Sequence, residues 1–245
     1  MLTLNSNPIS TIWLDLDDTL IDFTTNANTA LLKMHTEEPL LRRLFPDAAS
    51  WVETYERYNL QLWGLYARAE ITRDFLRQQR FILPLTEAGL PLEEARETAR
   101  RYDTLYLDYL ARERELMPGA MELMKWLKAR DVKVGCLSNG FKDVQYRKIR
   151  RAGLEPYFDL VVLSDDLGVQ KPDPRLYQYA MEQAGDMTAA RHLMVGDNPA
   201  TDVSGALRAG WKAIWYHPLR AAAAPCPEGA VEIHDLDAVS AMLSE

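Results

Sequence analysis

Apolar residues along this chain recur with two periods. Runs at 11–16 (TIWLDL), 132–138 (VKVGCLS), 159–164 (DLVVLS), 191–197 (RHLMVGD) and 212–217 (KAIWYH) are short, mostly apolar and partly β-branched. That is the pattern of strands buried on both faces. Between them the period lengthens to that of a helix. PGAMELMKWLKARD sets Met121, Met124 and Leu127 at helical spacing, with Pro118 expected at the first helical position. FKDVQYRKIRRAG and PRLYQYAMEQAG run to Gly153 and Gly185, residues at which helices commonly stop. Strands alternating with single helices predict βαβ units, hence an α/β fold with a Rossmann-like parallel sheet covered on both faces.

The alternation breaks once. From about 23 to 115 no strand pattern occurs, and segments such as DAASWVETYERYNLQLWGLYARAE and LEEARETARRYDTLYLDYLARERE read as helices. This is far more chain than one crossover needs. It predicts a helical subdomain, 23–115, inserted into a core built from 1–22 and 116–245. Trp51, Tyr55, Tyr58, Leu62 and Tyr66 fall at helical spacing and predict a packed helix face. Phe23, Trp51, Tyr55, Trp63, Tyr66 and Tyr102 are also the aromatic rings on which a flat substrate group could stack. No internal repeat appears, and AAAAPCPEG at 221–229 reads as a surface loop.

Composition narrows the function classes. With 245 residues, 47% hydrophobic and 26% charged, the chain has material for a sizeable core. A formal net charge of −8 disfavours a nucleic-acid polymer as partner, yet leaves a small anionic substrate open. Two cysteines, Cys136 and Cys226, cannot build a disulfide framework and read as reduced structural thiols. The start, MLTLNSNPIS, lacks a basic and an apolar leader region, and no stretch is long enough to cross a bilayer. A cytoplasmic protein, monomeric or weakly homo-oligomeric, is expected. His35, His192, His217 and His234 show no ligand spacing and read as structural.

The chemistry gathers where strands end. WLDLDDTLIDF closes an apolar run on Asp15, Asp17 and Asp18, and like charges this close repel unless a positive species compensates them. An EF-hand loop is excluded, because the twelve residues from Asp15 place Thr and Leu at the fifth and sixth positions and lack a final Glu. Ligand sites of open α/β sheets lie at the carboxyl ends of the strands. There the chain also places LSNG (137–140), LSDD (163–166), Lys171 in VQKPDP, and GDNPATD (196–202). Such a set suits phosphoryl transfer. Carboxylates from different strands can hold Mg²⁺, a helix start after SNG can offer N–H groups to a phosphate, and Lys171 can neutralise developing charge. A carboxylate can also act as nucleophile while a second protonates the leaving oxygen. Asp18, Asp22, Asp165 and Asp166 read as supporting or solvated.

DLDDTL, LSNG, KPDP and GDNPATD, in this order and with a helical insert after the first, resemble the four motifs of the haloacid dehalogenase superfamily of phosphohydrolases. The resemblance spans essentially the whole chain. It implies Asp15 as nucleophile and Asp17 as general acid/base, with Thr19 the small polar residue after the pair. Thr19, Ser138 and Asn139 would contact the substrate, and Lys171 would orient nucleophile and phosphate. Mg²⁺ would sit on Asp15, Asp197 and the backbone carbonyl of Asp17, with Asp202 supporting through water. Within the helical-cap subgroup, WLDLDDTL, LSNGF, GDNPATD and the closing HPLR…PEG…EIHDLDAV look most like the pyrimidine 5′-nucleotidase branch. The implied reaction is hydrolysis of small phosphomonoesters, (deoxy)pyrimidine nucleoside monophosphates first. Phosphoglycolate or sugar-phosphate phosphatases, a phosphomutase and a non-catalytic phosphate-binding protein are the alternatives. A dehalogenase is disfavoured because those relatives lack the second aspartate.

Overall fold

The structure, a computed structural model, describes residues 2–4, 7–218 and 225–243. The expected loop at 221–229 lies partly outside them. The chain opens with a small antiparallel pair, β1 (Thr3–Leu4) and β2 (Asn7–Pro8), and enters the main sheet with β3 (Thr11–Leu14). Five helices follow: α1 (Phe23–Glu37), α2 (Pro39–Leu44), α3 (Ala48–Ala67), α4 (Arg73–Glu87) and α5 (Leu92–Leu110). Then come α6 (Ala120–Lys128), β4 (Lys133–Ser138), α7 (Lys142–Arg151), β5 (Leu160–Leu163), the single turn α8 (Ser164–Leu167) and α9 (Pro174–Ala184). The last elements are β6 (His192–Gly196), α10 (Ser204–Arg208), β7 (Lys212–Tyr216), β8 (Val231–Ile233) and α11 (Asp237–Met242).

Six strands form one parallel sheet in the order β5-β4-β3-β6-β7-β8. The chain divides into two compact units, one running to Phe23 and resuming at Arg114, the other Thr24–Glu113. In the first, strand residues alternate between two apolar cores, as the pleat requires. Ile12, Leu14, Val134, Cys136, Leu193 and Val195 pack into one core. Trp13, Leu137, Met194, Ala213 and Trp215 pack into the other. Among the described residues no helix is long and apolar enough to cross a membrane.

Two sequence expectations change here. Pro118 is not the first helical residue, because Gly119 at φ 80° is the N-cap and α6 begins at Ala120. Only glycine enters that left-handed conformation without strain. β8 was absent from the expected strands: its three residues are too short for an alternating pattern and gain strand character only by pairing with β7.

The helical unit has its own core. Trp51, Tyr55, Phe81, Tyr102 and Tyr106 are buried and pack ring on ring, with Tyr55–Phe81 centroids 5.1 Å apart. Buried Arg80 joins them, 2.6 Å from Asp103 and 5.1 Å from the Tyr106 ring centroid. Trp51, Tyr55 and Tyr102 are therefore committed to packing and cannot stack on a substrate. Trp63 and Tyr66 are half-buried, edge to face at 5.8 Å.

Beneath the sheet, Gly135 of β4 lies opposite Trp13. A Cβ at Gly135 would stand 2.3 Å from the Trp13 ring. That indole cannot retreat, since it stacks on Trp211 at 5.8 Å and donates to His192 Nδ1 at 3.1 Å. Ala for Gly in a strand ordinarily helps the backbone, so the sign here is informative. Gly135→Ala is expected to cost about 1–3 kcal/mol through overpacking. The measurement is the urea midpoint at unchanged slope; an unchanged or raised midpoint would refute the packing argument.

Candidate active site

The ladder of β3 ends at Leu14, two residues before the expected strand end, and Asp15 adds one more rung by donating its N–H to Val195 O at 3.0 Å. Leu16 and Asp18 then turn the chain. Asp18 stands at φ 55°, a left-handed conformation that aspartate tolerates better than most residues, and donates its N–H to Ile21 O at 2.7 Å. The two aspartates flanking Leu16 acquire different partners.

Asp15 is buried and accepts from Lys171 Nζ at 2.7 Å. The same ammonium lies 2.6 Å from Asp202 and donates to Leu137 O at 2.6 Å, with only 2% of its side chain exposed. Burial works against a charged Lys171, but Asp15 and Asp202 outweigh it and hold the ammonium well above its ordinary range. The backbone of Lys171 is clamped as well: its N–H donates to Asn139 Oδ1 at 2.7 Å, and its carbonyl accepts from Asn139 Nδ2 at 2.9 Å. Both ends of the Asn139 amide thus position Lys171.

Asp197 follows β6. Oxygens of Asp15, Asp197 and Asp202 lie within 4.8 Å of one another, an all-oxygen set of the kind that holds a hard divalent cation. One lysine does not balance three carboxylates. Burial, the largest effect, together with Asp202 raises Asp15 to about 7 against the pull of Lys171. Burial, then Asp15 and Asp202, raise Asp197 to about 9. Thr19, expected among substrate contacts, is fully buried and donates to Asp197 Oδ1 at 3.4 Å, so it orients a carboxylate. Asp202 is buried, and its Oδ2 accepts from the Asn198 N–H at 3.0 Å. Asn198 in turn caps the turn Pro199–Val203 by accepting from Ala200 and Thr201, both at 3.0 Å.

Asp17 is held from the other side. Its Oδ1 accepts from Lys148 Nζ at 2.7 Å and its Oδ2 from Gln145 Nε2 at 2.9 Å. Gln145 Nε2 also donates to Ser138 Oγ at 2.7 Å, and the Gly140 N–H donates there at 3.2 Å. With two donors already on its oxygen, the Ser138 hydroxyl keeps its own proton to donate. Lys148 and Gln145 escaped the sequence reading. The available signal was their place on the inward stripe Phe141–Gln145–Lys148–Ile149 of α7, where apolar residues are the rule. Lys148 also lies 4.1 Å from the ring centroid of Phe23, one of the expected stacking residues.

The helix start after SNG differs from expectation. Its first N–H, from Lys142, donates to Asp165 Oδ2 at 2.8 Å, and Lys142 Nζ meets Asp166 at 2.7 Å. Two aspartates read as supporting or solvated thus anchor α7. Two of the histidines read as structural, His217 and His234, come together with Glu232 at the ends of β7 and β8.

The family model for haloacid dehalogenase-like hydrolases matches residues 9–210. The chain is 32% identical over 206 residues to the pyrimidine 5′-nucleotidase YjjG of Escherichia coli, covering 84% of this chain and 85% of the relative. It is 30% identical to the pyrimidine 5′-nucleotidase PynA of Streptococcus pneumoniae, over 83% of this chain and 82% of the relative. A phosphoserine phosphatase of Thermus thermophilus is 34% identical, over 82% and 86%. Among solved structures, the magnesium-bound HAD-hydrolase YfnB of Bacillus subtilis superposes with a TM-score of 0.80 at 26% identity, covering 96% of this chain and 99% of that one.

The carboxylate cluster makes a prediction about stability. A carboxyl whose pKa is higher folded than unfolded binds more protons in the native state, so stability falls as pH rises between the two values. For Asp15 and Asp197 that window runs from 3.8 to about 7 and about 9. In chelator, the denaturation midpoint should therefore drop steadily from about pH 5 to about pH 9, and Asp197→Asn should flatten the decline. A flat or rising wild-type profile would contradict the electrostatic reading.

Proposed function

The chain belongs to the haloacid dehalogenase-like hydrolases, and from that premise we propose that it is a Mg²⁺-dependent phosphomonoesterase working through an aspartyl-phosphate. The observation that carries this reading is the division of labour between two aspartates separated by one residue. Asp15 lies in a buried carboxylate cluster beside Lys171, and Asp17 is held by Lys148 and Gln145.

Asp15, Asp197 and Asp202 fit Mg²⁺ in donor type and in unbalanced charge. When bound, the ion supplies charge neutralisation at the nucleophile and at a phosphoryl oxygen. The remaining work falls to the chain. Lys171 fixes the Asp15 carboxylate for attack on phosphorus and offsets charge on the transferring group. The Ser138 hydroxyl donates to a phosphoryl oxygen, while Asn139 acts through the Lys171 backbone. As the Asp15–phosphorus bond forms and the ester bond breaks, Asp17 gives its proton to the leaving oxygen. In the second half, Asp17 takes a proton from water as that water attacks the aspartyl-phosphate, which releases phosphate and restores Asp15. Lys148 and Gln145 fix the position of the Asp17 carboxyl for both transfers.

The substrate reading rests on two supports. Both pyrimidine 5′-nucleotidases align over most of their length. Phe23 offers an aromatic surface beside the acid that serves the leaving group. Pyrimidine nucleoside 5′-monophosphates, deoxy forms included, are the proposed substrates.

Asp15→Asn keeps the shape and removes the nucleophile, so turnover of p-nitrophenyl phosphate should fall at least about a thousandfold while phosphate still binds. EDTA should silence the wild type and Mg²⁺ should restore it. Near-normal turnover in the variant, or full activity in EDTA, would reject the mechanism. For specificity, kcat/KM for dUMP and dTMP should exceed that for phosphoglycolate and glucose 6-phosphate by about tenfold or more, about 1.4 kcal/mol of transition-state binding. A lead for either of the latter would move the enzyme to another phosphatase branch.

A further inference from the structure

Among the described residues, two clusters of carboxylate or imidazole donors are close enough to share a cation. One is the Asp15 group. The other, His217 with Glu232 and His234, belongs to no step described above. We propose that this second cluster is a binding site for a divalent transition ion of the Zn²⁺ type, and that it joins the ends of β7 and β8.

The backbone brings the donors together. Trp215 pairs with Glu232 and Tyr216 with Ile233 across the two parallel strands, so continuing the register sets His217 opposite His234. Glu232 and His234 are two residues apart and share a face of the sheet, as Trp215 and His217 do. The geometry suits a small ion. His217 Nδ1 and Glu232 Oε1 are 3.2 Å apart. Two tetrahedral ligands at about 2.0–2.1 Å from Zn²⁺ stand about 3.3 Å apart, so an ion fits where a proton now bridges the pair. His234 is turned appropriately. Its Nδ1 lies 2.6 Å from the His217 carbonyl oxygen, which can only accept, so Nδ1 carries the proton and Nε2 keeps its lone pair. A ring N–H held by a backbone carbonyl is the usual support of a metal-binding histidine. One donor atom of each of the three side chains lies within 4.8 Å of those of the other two.

The site is also supported and reachable. The His217 ring lies flat on Trp215, with centroids 4.7 Å apart and planes 5° apart, and the Trp215 indole donates to Asp197 O at 2.7 Å. Glu232 is 34% exposed along its side chain and His217 18%, so an ion can enter and water can complete its coordination. Two imidazoles and one carboxylate favour Zn²⁺, Co²⁺ or Ni²⁺ over Mg²⁺, which prefers oxygen donors throughout. On binding, the His217 ring proton moves from Nδ1 to Nε2 as Nδ1 takes the ion; nothing is oxidised or reduced.

This assignment stands apart from the phosphatase reading and is tested without turnover. The full chain, stripped with chelator and returned to saturating Mg²⁺ to fill the all-oxygen site, is titrated with Co²⁺. One equivalent should produce the visible absorption of four- or five-coordinate cobalt, and Zn²⁺ should bleach it. Zn²⁺ should also raise the unfolding temperature in a concentration-dependent way. His234→Ala and the shape-conserving Glu232→Gln should each weaken Co²⁺ binding by about tenfold or more. Asp15→Asn and Cys226→Ser should leave the band intact. The assignment is overturned if no band appears, if both cluster variants retain it at wild-type affinity, or if either control removes it.

Discussion

A cluster of three carboxylates, two of them paired with one buried ammonium, is the constraint on which the rest of the molecule depends. Removing either partner of a buried ion pair costs about 3–5 kcal/mol, because the survivor is left charged and unsolvated. Lys171 must therefore be held where it is, and its surroundings do this on every side. Its ammonium meets Asp15, Asp202 and Leu137 O, and the Asn139 amide grips its backbone in both directions. Gly196 completes the arrangement: a Cβ there would lie 2.4 Å from Asp202 Oδ2, so the strand that delivers Asp197 must pass Asp202 as bare backbone.

The second aspartate rests on a separate platform. Helix α7 presents Gln145 and Lys148 to Asp17, and Gln145 reaches both Asp17 and Ser138 because residue 140 is glycine. A Cβ at that position would stand 2.3 Å from the Gln145 amide. The start of α7 is in turn fixed by Asp165 and Asp166 from the turn after β5. Asp15 and Asp17 therefore stand on different supports, β3 with Lys171 on one side and α7 on the other.

The helical unit is consistent with this economy. Its large rings fill its own interior around the Arg80–Asp103 pair. Aromatic content in an inserted segment is thus first a folding requirement, since a unit of this size must find its own apolar core. Phe23, the last residue of the sheet unit before the helical one, lies against Lys148.

Strand and helix periods in the amino-acid sequence determined the α/β alternation, and the break in it marked the segment from 23 to 115. The ends of the apolar runs pointed to Asp15, Asp17, Ser138, Lys171 and Asp197, because buried strands that finish on polar residues put those residues at one edge of a parallel sheet. Packing decided what periodicity could not. Gln145 and Lys148 lie on a helix face that sequence assigns to the core, and only the approach of β3 shows what they hold. Asn139 resembles a ligand-binding residue until its amide meets Lys171, 32 positions further along the chain. His217 and His234 lie seventeen residues apart with no motif between them, and become neighbours through the register of β7 and β8. Local pattern fixes the element in which a side chain sits. Which charge it faces depends on contacts across long sequence separation, and those exist only after the sheet has closed.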